Sequence, residues 1–350
     1  MTINCADCSG TICETGHKDV VPDDCPMRGD FPDFGKLYSQ GPWRQLAHQA
    51  AIIEAEGYGR WTRAHEISEL AKRMDYLRVG IAHCIDMASE AELTSRYFRS
   101  RGLETFVPPE SLRSDPLGQA SHFAEKGTGL NVLAGMCVGH DSMFIRASSA
   151  PVTSLVVRDT KLHHNPVAAL YTSQSYFKKA LYYRHQDGNP QPYRGTDDAM
   201  LDATSRSVVR DGQGEWCRVE ETIEFAHRLG ISKMGVVFCS GFQNEARLLK
   251  RVLEANGFSV SSSCCKTGSV PKEEFGITDN QKVRPGQPEM ICNPLAQAEL
   301  LNREKVELVL LLGQCAGHDS ATMAHLDAPA VCTAAKDRAL AHNTLAALYN

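Results

Sequence analysis

The sequence predicts an α/β protein made of two tandem repeats of a three-layer α/β/α unit with a mostly parallel sheet, preceded by a cysteine-rich segment that binds metal. Two observations support this prediction. Buried strand-like segments alternate with helices, as they do in parallel sheets with helical crossovers. The alternation also occurs twice, because residues 61–90 match residues 216–245 without a gap at an offset of 155, as from Cys84 to Cys239.

The second half of each copy matches at a different offset. Residues 114–120 correspond to residues 292–298, and the motif Cys-x-Gly-His-Asp-Ser occurs at residues 137–142 and again at 315–320. The second copy therefore contains an insertion of 23 residues, the difference between the offsets of 178 and 155, in the region of Cys264 and Cys265. The first copy has Ser114 where the second has Cys292. The first copy thus lacks counterparts of Cys264, Cys265 and Cys292.

Hydrophobic periodicity places the elements of both copies in the same order. Helices are predicted at residues 34–57 and 61–74. In the first copy, strands are predicted at 78–82, 104–107, 130–134 and 153–157, and helices at 89–100, 116–125 and from about 166. In the second copy, strands are predicted at 234–238, 259–263, 306–312 and 330–333, and helices at 245–255 and 295–302. The predicted organisation is a cysteine-rich segment at 1–33, a first repeat at 34–186, a linker rich in Gly, Pro, Asp and Arg at 187–214, and a second repeat at 215–350.

Composition limits the class of protein and its partners. The chain has 350 residues, of which 42% are hydrophobic, and its net charge of −5 without a basic stripe argues against a nucleic-acid partner. No apolar run approaches the roughly 18 residues that span a bilayer, and residues 1–5 lack the character of a signal peptide. We therefore expect a cytoplasmic monomer or homodimer with no membrane partner. In a reducing compartment, 13 cysteines favour metal binding or redox chemistry over disulfides.

Five cysteines of the second copy predict a metal or iron-sulfur site. Several of them follow predicted strands, and the carboxyl ends of parallel strands meet at one sheet edge. Cys292 opens a predicted helix, whose free N–H groups stabilise a thiolate. Four soft ligands with one to spare suit a [4Fe-4S] cluster or Zn²⁺, and the choice between Cys264 and Cys265 stays open. The candidate ligands are Cys239, Cys264, Cys265, Cys292 and Cys315.

Two further cysteine groups are candidates for metal binding. The N-terminal pattern Cys-x2-Cys-x4-Cys-x11-Cys begins with a knuckle that lets two thiolates face one ion, and it suits either structural zinc or an electron-relay iron-sulfur cluster. The two cysteines of the first copy lack the partners of a four-thiolate site, so they are either relics or borrow ligands from the N-terminal segment. The candidate ligands of these groups are Cys5, Cys8, Cys13, Cys25, Cys84 and Cys137.

Three basic residues are candidates for catalysis at the second-repeat site. His140 and His318 occupy the same place in the two Cys-x-Gly-His-Asp-Ser motifs, and each can bind metal, donate a proton or bond a backbone carbonyl. Lys266 follows the paired cysteines, where its charge lowers the pKa of a neighbouring thiol. No G-x-G-x-x-G follows a strand and no G-x4-G-K-[ST] occurs, so nucleotide binding has no motif support.

Several motifs of the chain together carry a resemblance to a known family. They are Cys5-Ala-Asp-Cys8, Gly235-Val-Val-Phe-Cys239, Cys264-Cys-Lys266, Cys137-Val-Gly-His-Asp141, and the stretches 150–159, 164–166 and 292–302. They resemble a family of prokaryotic cysteine-rich proteins that is described only as metal-binding, with a domain of unknown function. The resemblance covers nearly the whole chain and implies metal binding, but it implies no reaction. Members look like an N-terminal cysteine segment followed by one α/β unit, whereas this chain has two units.

The leading hypothesis is an iron-sulfur or other metal-binding protein that carries out redox or sulfur chemistry on a small molecule at a cluster in the second repeat. Such an enzyme would be an oxidoreductase or a lyase, with an electron donor protein as a partner. The first repeat would cover the site as a pseudo-symmetric partner. The alternative is a non-enzymatic zinc or soft-metal binding protein that stores, delivers or senses the metal.

Overall fold

Each repeat contains a four-stranded parallel sheet. A computed structural model describes residues 3–8, 12–16, 21–23, 25–182 and 195–349. The strands are β1 (Arg78–Ala82), β2 (Glu104–Phe106), β3 (Leu130–Ala134), β4 (Val152–Val156), β5 (Lys233–Phe238), β6 (Ser259–Cys264), β7 (Leu308–Leu312) and β8 (Ala330–Ala334). The first sheet has the order β2-β1-β3-β4 and the second has the equivalent order β6-β5-β7-β8, with every neighbouring pair parallel. The predicted tandem α/β fold is confirmed.

The helices follow the same repetition. Those before the second repeat are α1 (Ile12–Thr15), α2 (Phe34–Leu37), α3 (Trp43–Gly57), α4 (Arg63–Arg73), α5 (Ala88–Ser100), α6 (Pro116–Glu125), α7 (His140–Ala147), α8 (Val167–Tyr171) and α9 (Lys178–Tyr182). The later helices are α10 (Asp198–Gly212), α11 (Arg218–Arg228), α12 (Gln243–Ala255), α13 (Pro294–Arg303) and α14 (His318–Met323). Among the described residues, no helix combines the length and the apolar character that crossing a bilayer requires.

Both faces of each sheet are buried, as is usual for parallel sheets. In β3, Val132 belongs to a core formed with α3, α4 and α5, whereas its neighbour Leu133 belongs to a different core. That second core also contains Leu311 and Ala330 of the second repeat. The two sheets therefore share one apolar interior, which fixes the repeats against each other.

Two buried arginines reinforce this contact in a pseudo-symmetric way. The Arg63 guanidinium pairs with Asp319 at 2.6 Å, and the Arg218 guanidinium pairs with Asp141 at 2.5 Å. Each guanidinium also donates to two backbone carbonyls, one in each repeat. Because Asp319 and Asp141 come from the repeat opposite to their arginine, each pair links the two halves of the molecule.

The ends of the two repeats are exchanged. Helix α8, which follows the first sheet, packs against α12 of the second repeat. The 3-10 helix Thr344–Leu348, which follows the second sheet, packs against α4, α5 and β4 of the first repeat. These contacts cross the predicted domain boundary, so each sheet is completed by the other repeat.

The described part of the predicted linker differs from the prediction. Residues 187–194 lie outside the described residues, but α10 occupies most of the remainder, and the Asp197 side chain caps it by accepting from Met200 N. Helix α10 is the counterpart of α3 at the same offset of 155. Each helix ends at a glycine that packs against a tryptophan ring, Gly57 against Trp61 and Gly212 against Trp216. A Cβ atom at Gly212 would lie only 2.1 Å from the Trp216 side chain. The repeat thus begins one helix earlier than the sequence match indicated.

Candidate metal centres

Four buried thiols lie together at one edge of the second sheet. We call Cys239, Cys265, Cys292 and Cys315 the second-repeat thiol group. Three of these thiols follow strands β5, β6 and β7, and the fourth directly precedes the Asn293 cap of α13. This is the carboxyl edge of a parallel sheet, where ligands of such folds collect. Each of the four cysteines is at most 4% exposed.

The backbone holds these segments in register. Cys265 N donates to Phe238 O at 2.8 Å, which fixes the turn after β6 beside the end of β5. Asn293 N donates to Cys265 O at 2.7 Å, which fixes the start of α13 beside the same turn. The positions of the thiols therefore follow from the main chain and not from side-chain packing alone.

The thiols form a continuous series of contacts. Cys265 lies in hydrogen-bonding contact with both Cys239 and Cys292, and Cys239 is in turn in contact with Cys315. His318 contacts the two ends of the series, Cys292 and Cys315. The group is thus a ring of four sulfurs closed by one imidazole.

The structure separates the two adjacent cysteines of the insertion. Cys265 contacts both Cys239 and Cys292, whereas the Cys264 thiol contacts Cys265 and lies within electrostatic reach of Cys5 and Cys13. Both positions are buried, with Cys264 8% and Cys265 2% exposed. The choice that the sequence left open therefore falls on Cys265 for the ring.

A cluster of charges surrounds the ring. The Lys336 ammonium lies 2.6 Å from Cys239 Sγ and 3.5 Å from Cys315 Sγ. Arg338 pairs with Glu54 and lies 3.9 Å from Cys315 Sγ. Burial alone would lower the pKa of Lys336, but the neighbouring thiols raise it well above its usual value, so this side chain stays positively charged. The Lys336 charge lowers the pKa of both thiols, but contact with Cys265 raises the pKa of Cys239 to about 11, and contact with Cys239 together with burial raises the pKa of Cys315 to about 12.

The pKa values of Cys292 and His318 are shifted toward the charged form of each group. Contact with Cys265 holds the pKa of the Cys292 thiol well below its usual value, and the nearby Lys266 charge acts in the same direction against burial. Burial alone would lower the pKa of His318, but the neighbouring thiolates raise it to about 10. At neutral pH the ring therefore contains a thiolate beside an imidazolium, and the thiolate helps to keep the proton on His318.

A pocket of about 400 Å³ opens beside Cys239 and Cys292. Five basic and three acidic side chains line it, and one of the acidic residues, Glu54, comes from the first repeat. Much of the remaining wall comes from the insertion that is specific to the second repeat. The basic residues are Lys266, Lys272, Arg284, Lys336 and Arg338.

The first repeat contains a smaller group at the equivalent positions. The Sγ atoms of Cys84 and Cys137 are 2.9 Å apart, and His140 contacts Cys137. One ligand atom from each of these three residues lies within 4.8 Å of the others, a spacing suited to a single metal ion, and all three residues are buried. The His140 imidazole bonds Asp202 at 3.1 Å. His140 is therefore placed beside the first-repeat thiols.

The four N-terminal cysteines also come together. Burial raises the pKa of Cys13 to about 12, with a further contribution from the neighbouring thiols of Cys5, Cys25 and Cys8. The segment is fastened to the second sheet, because Asn4 pairs with Ser262 of β6 in a parallel bridge. The N-terminal group therefore lies within electrostatic reach of Cys264.

A family model described as "Protein of unknown function (DUF1847)" matches residues 30–108, 109–155 and 182–333. The chain belongs to this family. Its description assigns no function, so the metal-binding character implied by the sequence motifs is not established by DUF1847 membership. The described residues do contain many cysteines and one Cys/His group with the spacing of a metal site.

Two individual proteins resemble this DUF1847 chain. "Uncharacterized protein MJ0455" of Methanocaldococcus jannaschii is 39% identical over 132 residues, which are 38% of this chain and 66% of that protein. The second is the crystal structure of PH1733, an aspartate racemase homologue from Pyrococcus horikoshii OT3. The match covers 78% of this chain and 97% of that chain, with 12% sequence identity and a TM-score of 0.20. A likeness at that TM-score carries no weight for fold or function.

Sequence reasoning missed several residues around the thiol groups. Lys336 and its counterpart Arg158 follow the last strand of each sheet, and a basic residue at the same place in both copies was the available signal. Glu54 and Asp202 gave no such signal, because each lies on a helix of one repeat and reaches the site of the other. Only the exchanged packing of the DUF1847 repeats reveals them.

Proposed function

We propose that this DUF1847 protein holds an iron-sulfur cluster in the second-repeat thiol group and carries out redox or sulfur chemistry on a small anionic molecule. The observation that carries this proposal is the meeting of four buried thiols, from four separate segments, beside a pocket with an excess of basic side chains. Cys239 and Cys292 line that pocket directly. A bound molecule would therefore lie next to the ligands of the cluster.

The donor set fits such a cluster. Cys239, Cys265, Cys292 and Cys315 supply four soft thiolates, which is the usual ligand set of a [4Fe-4S] centre. A bound cluster would supply electron transfer to a molecule in the adjoining pocket. Lys336 lies close to two of the four sulfurs, and hydrogen bonds and positive charge at the sulfurs raise the reduction potential.

The remaining side chains suit the binding of an anion. The Lys266 ammonium donates to Met290 O, and burial, which alone would lower its pKa, is outweighed by Cys292 and Glu54 so that it stays charged. Lys272 is held in place by Glu289 at 2.7 Å. His318, with a pKa raised to about 10 beside the thiolates, can keep a proton near the reacting molecule.

The N-terminal group would serve this function as an entry point for electrons. Cys264 lies in contact with Cys265 of the ring and within electrostatic reach of Cys5 and Cys13. One peptide bond would then connect the two centres, and an electron donor protein would bind near the N-terminal segment. A structural zinc ion in that group would instead leave the ring without this route.

A redox cycle tests the proposal. We expect protein purified without oxygen to be brown, to lose visible absorption when titanium(III) citrate reduces it, and to regain that absorption when sulfite or thiosulfate is added. Dimethyl sulfoxide, a neutral oxidised sulfur compound, is the matched control and should restore the absorption more slowly. A colourless protein that contains zinc would instead support the non-enzymatic metal-binding alternative and contradict the proposal.

A further inference from the structure

The first-repeat thiol group, Cys84, Cys137 and His140, repeats part of the second-repeat site. These residues correspond by sequence to Cys239, Cys315 and His318, all of which belong to or close the ring. The first repeat has Ser114 in place of Cys292 and lacks the insertion that contributes Cys265. What is retained is therefore a set of two sulfurs and one imidazole.

We propose that this group binds one zinc ion through Cys84, Cys137 and His140, independently of the second-repeat centre, with the fourth position open to water or a small ligand. Two thiolates and one histidine are a known ligand set of catalytic zinc, in which the fourth position receives the substrate or water. The ligand atoms lie within 4.8 Å of one another, close to the spacing that one ion needs.

The histidine is oriented for this role. Its Nε2 bonds Asp202 Oδ1 at 3.1 Å, which leaves Nδ1 to face a metal. A carboxylate that receives the second N–H of a histidine is the usual companion of a zinc ligand, since it fixes the ring and raises its basicity. In the second repeat the corresponding contact of His318 is with Ala47 O at 3.4 Å, so the carboxylate is specific to the first repeat.

The hydrogen bonds and charges around Cys84 and Cys137 also suit metal binding. Cys84 Sγ accepts the backbone N–H of Cys137 at 2.9 Å, a hydrogen bond that stabilises a thiolate. Arg158, the nearest cation, pairs with Asp86 at 2.7 Å and lies 3.6 Å from Glu221, so two carboxylates offset its charge beside the thiols. Two thiolates then balance the two charges of the zinc ion.

Anomalous diffraction tests the site on the full-length protein loaded with zinc. Data collected above and below the zinc absorption edge should give a difference peak between Cys84 Sγ, Cys137 Sγ and the His140 ring. A Cys84–Cys137 disulfide, with sulfurs about 2.05 Å apart, would overturn the proposal and identify the pair as a redox dithiol. The lack of any zinc peak at these residues in zinc-loaded crystals would overturn it as well.

Variants give the same test in solution. Cys137→Ala and His140→Gln should each lower the zinc content by one ion per chain, and Asp202→Ala should weaken zinc binding by about 10–100-fold. Cys332→Ala is the matched control, because Cys332 is also buried but lies outside the three cysteine groups. Unchanged zinc content in Cys137→Ala, or the same loss in Cys332→Ala, would contradict the assignment.

Discussion

Replacing Arg218 by Met is expected to lower the free energy of unfolding by roughly 3–5 kcal/mol, the usual effect of removing one partner of a buried ion pair. Methionine fills much of the same volume, but it leaves the Asp141 carboxylate buried without its 2.5 Å partner. It also removes the donors to Cys332 O and Met136 O, which lie in different repeats. The link between the two sheets would be weakened at its centre.

Urea unfolding of the metal-free protein measures this effect. Arg303→Met is the matched control, because Arg303 forms an exposed pair with Glu299 at 2.8 Å, and such pairs contribute at most about 1 kcal/mol. Arg63→Met, the pseudo-symmetric change, should resemble Arg218→Met. If Arg218→Met were no more destabilising than Arg303→Met, the buried pairs would not hold the repeats together.

Replacing Cys265 by Ser is expected to remove the metal from the second-repeat thiol group, whatever that metal is. Cys265 is the member of the ring that contacts both Cys239 and Cys292, so the change leaves a gap in the middle of the series. A serine hydroxyl is a much harder ligand than a thiolate and suits neither iron-sulfur clusters nor zinc. We expect metal affinity at this centre to fall by more than about 100-fold, since the loss of an outer-shell partner alone costs about 10–100-fold.

The adjacent residue provides a closely matched control. Cys264→Ser makes the same chemical change one position earlier, but the Cys264 thiol contacts the ring through Cys265 and lies within electrostatic reach of Cys5 and Cys13. Metal analysis should show that Cys264→Ser retains the second-repeat centre while Cys265→Ser loses it. The opposite pattern, or equal losses in both variants, would show that the insertion presents its cysteines differently from the arrangement described above.

The repeated motifs explain why much of the fold was predictable. Residues such as Gly80 and Gly235, or the two Cys-x-Gly-His-Asp-Ser turns, occupy equivalent places, and alternating apolar strands identify the sheets. Helix α10 was not predicted because only Leu201 and Gly212 are identical to their counterparts in α3, although the two helices occupy equivalent places in the repeats. Packing against a partner helix tolerates such drift.

The thiol ligands were predictable for a different reason from their surroundings. A cysteine that directly follows a predicted strand can be placed from the sequence alone, because the carboxyl ends of parallel strands lie at one edge of the sheet. The selection of Cys265 over Cys264 depends on which way two successive residues turn after β6, which composition does not encode. Glu54 lies 261 residues before Cys315 and meets it only through the exchanged packing of the repeats.

Analysis of iron, zinc and acid-labile sulfide in protein purified without oxygen tests the central claim most directly. If the second-repeat thiol group holds an iron-sulfur cluster, iron and sulfide should be present in near-equal amounts, with about four of each for a [4Fe-4S] centre. Both amounts should fall in Cys265→Ser and persist in Cys332→Ala. Zinc without sulfide or visible absorption, unchanged between these two variants, would contradict the claim.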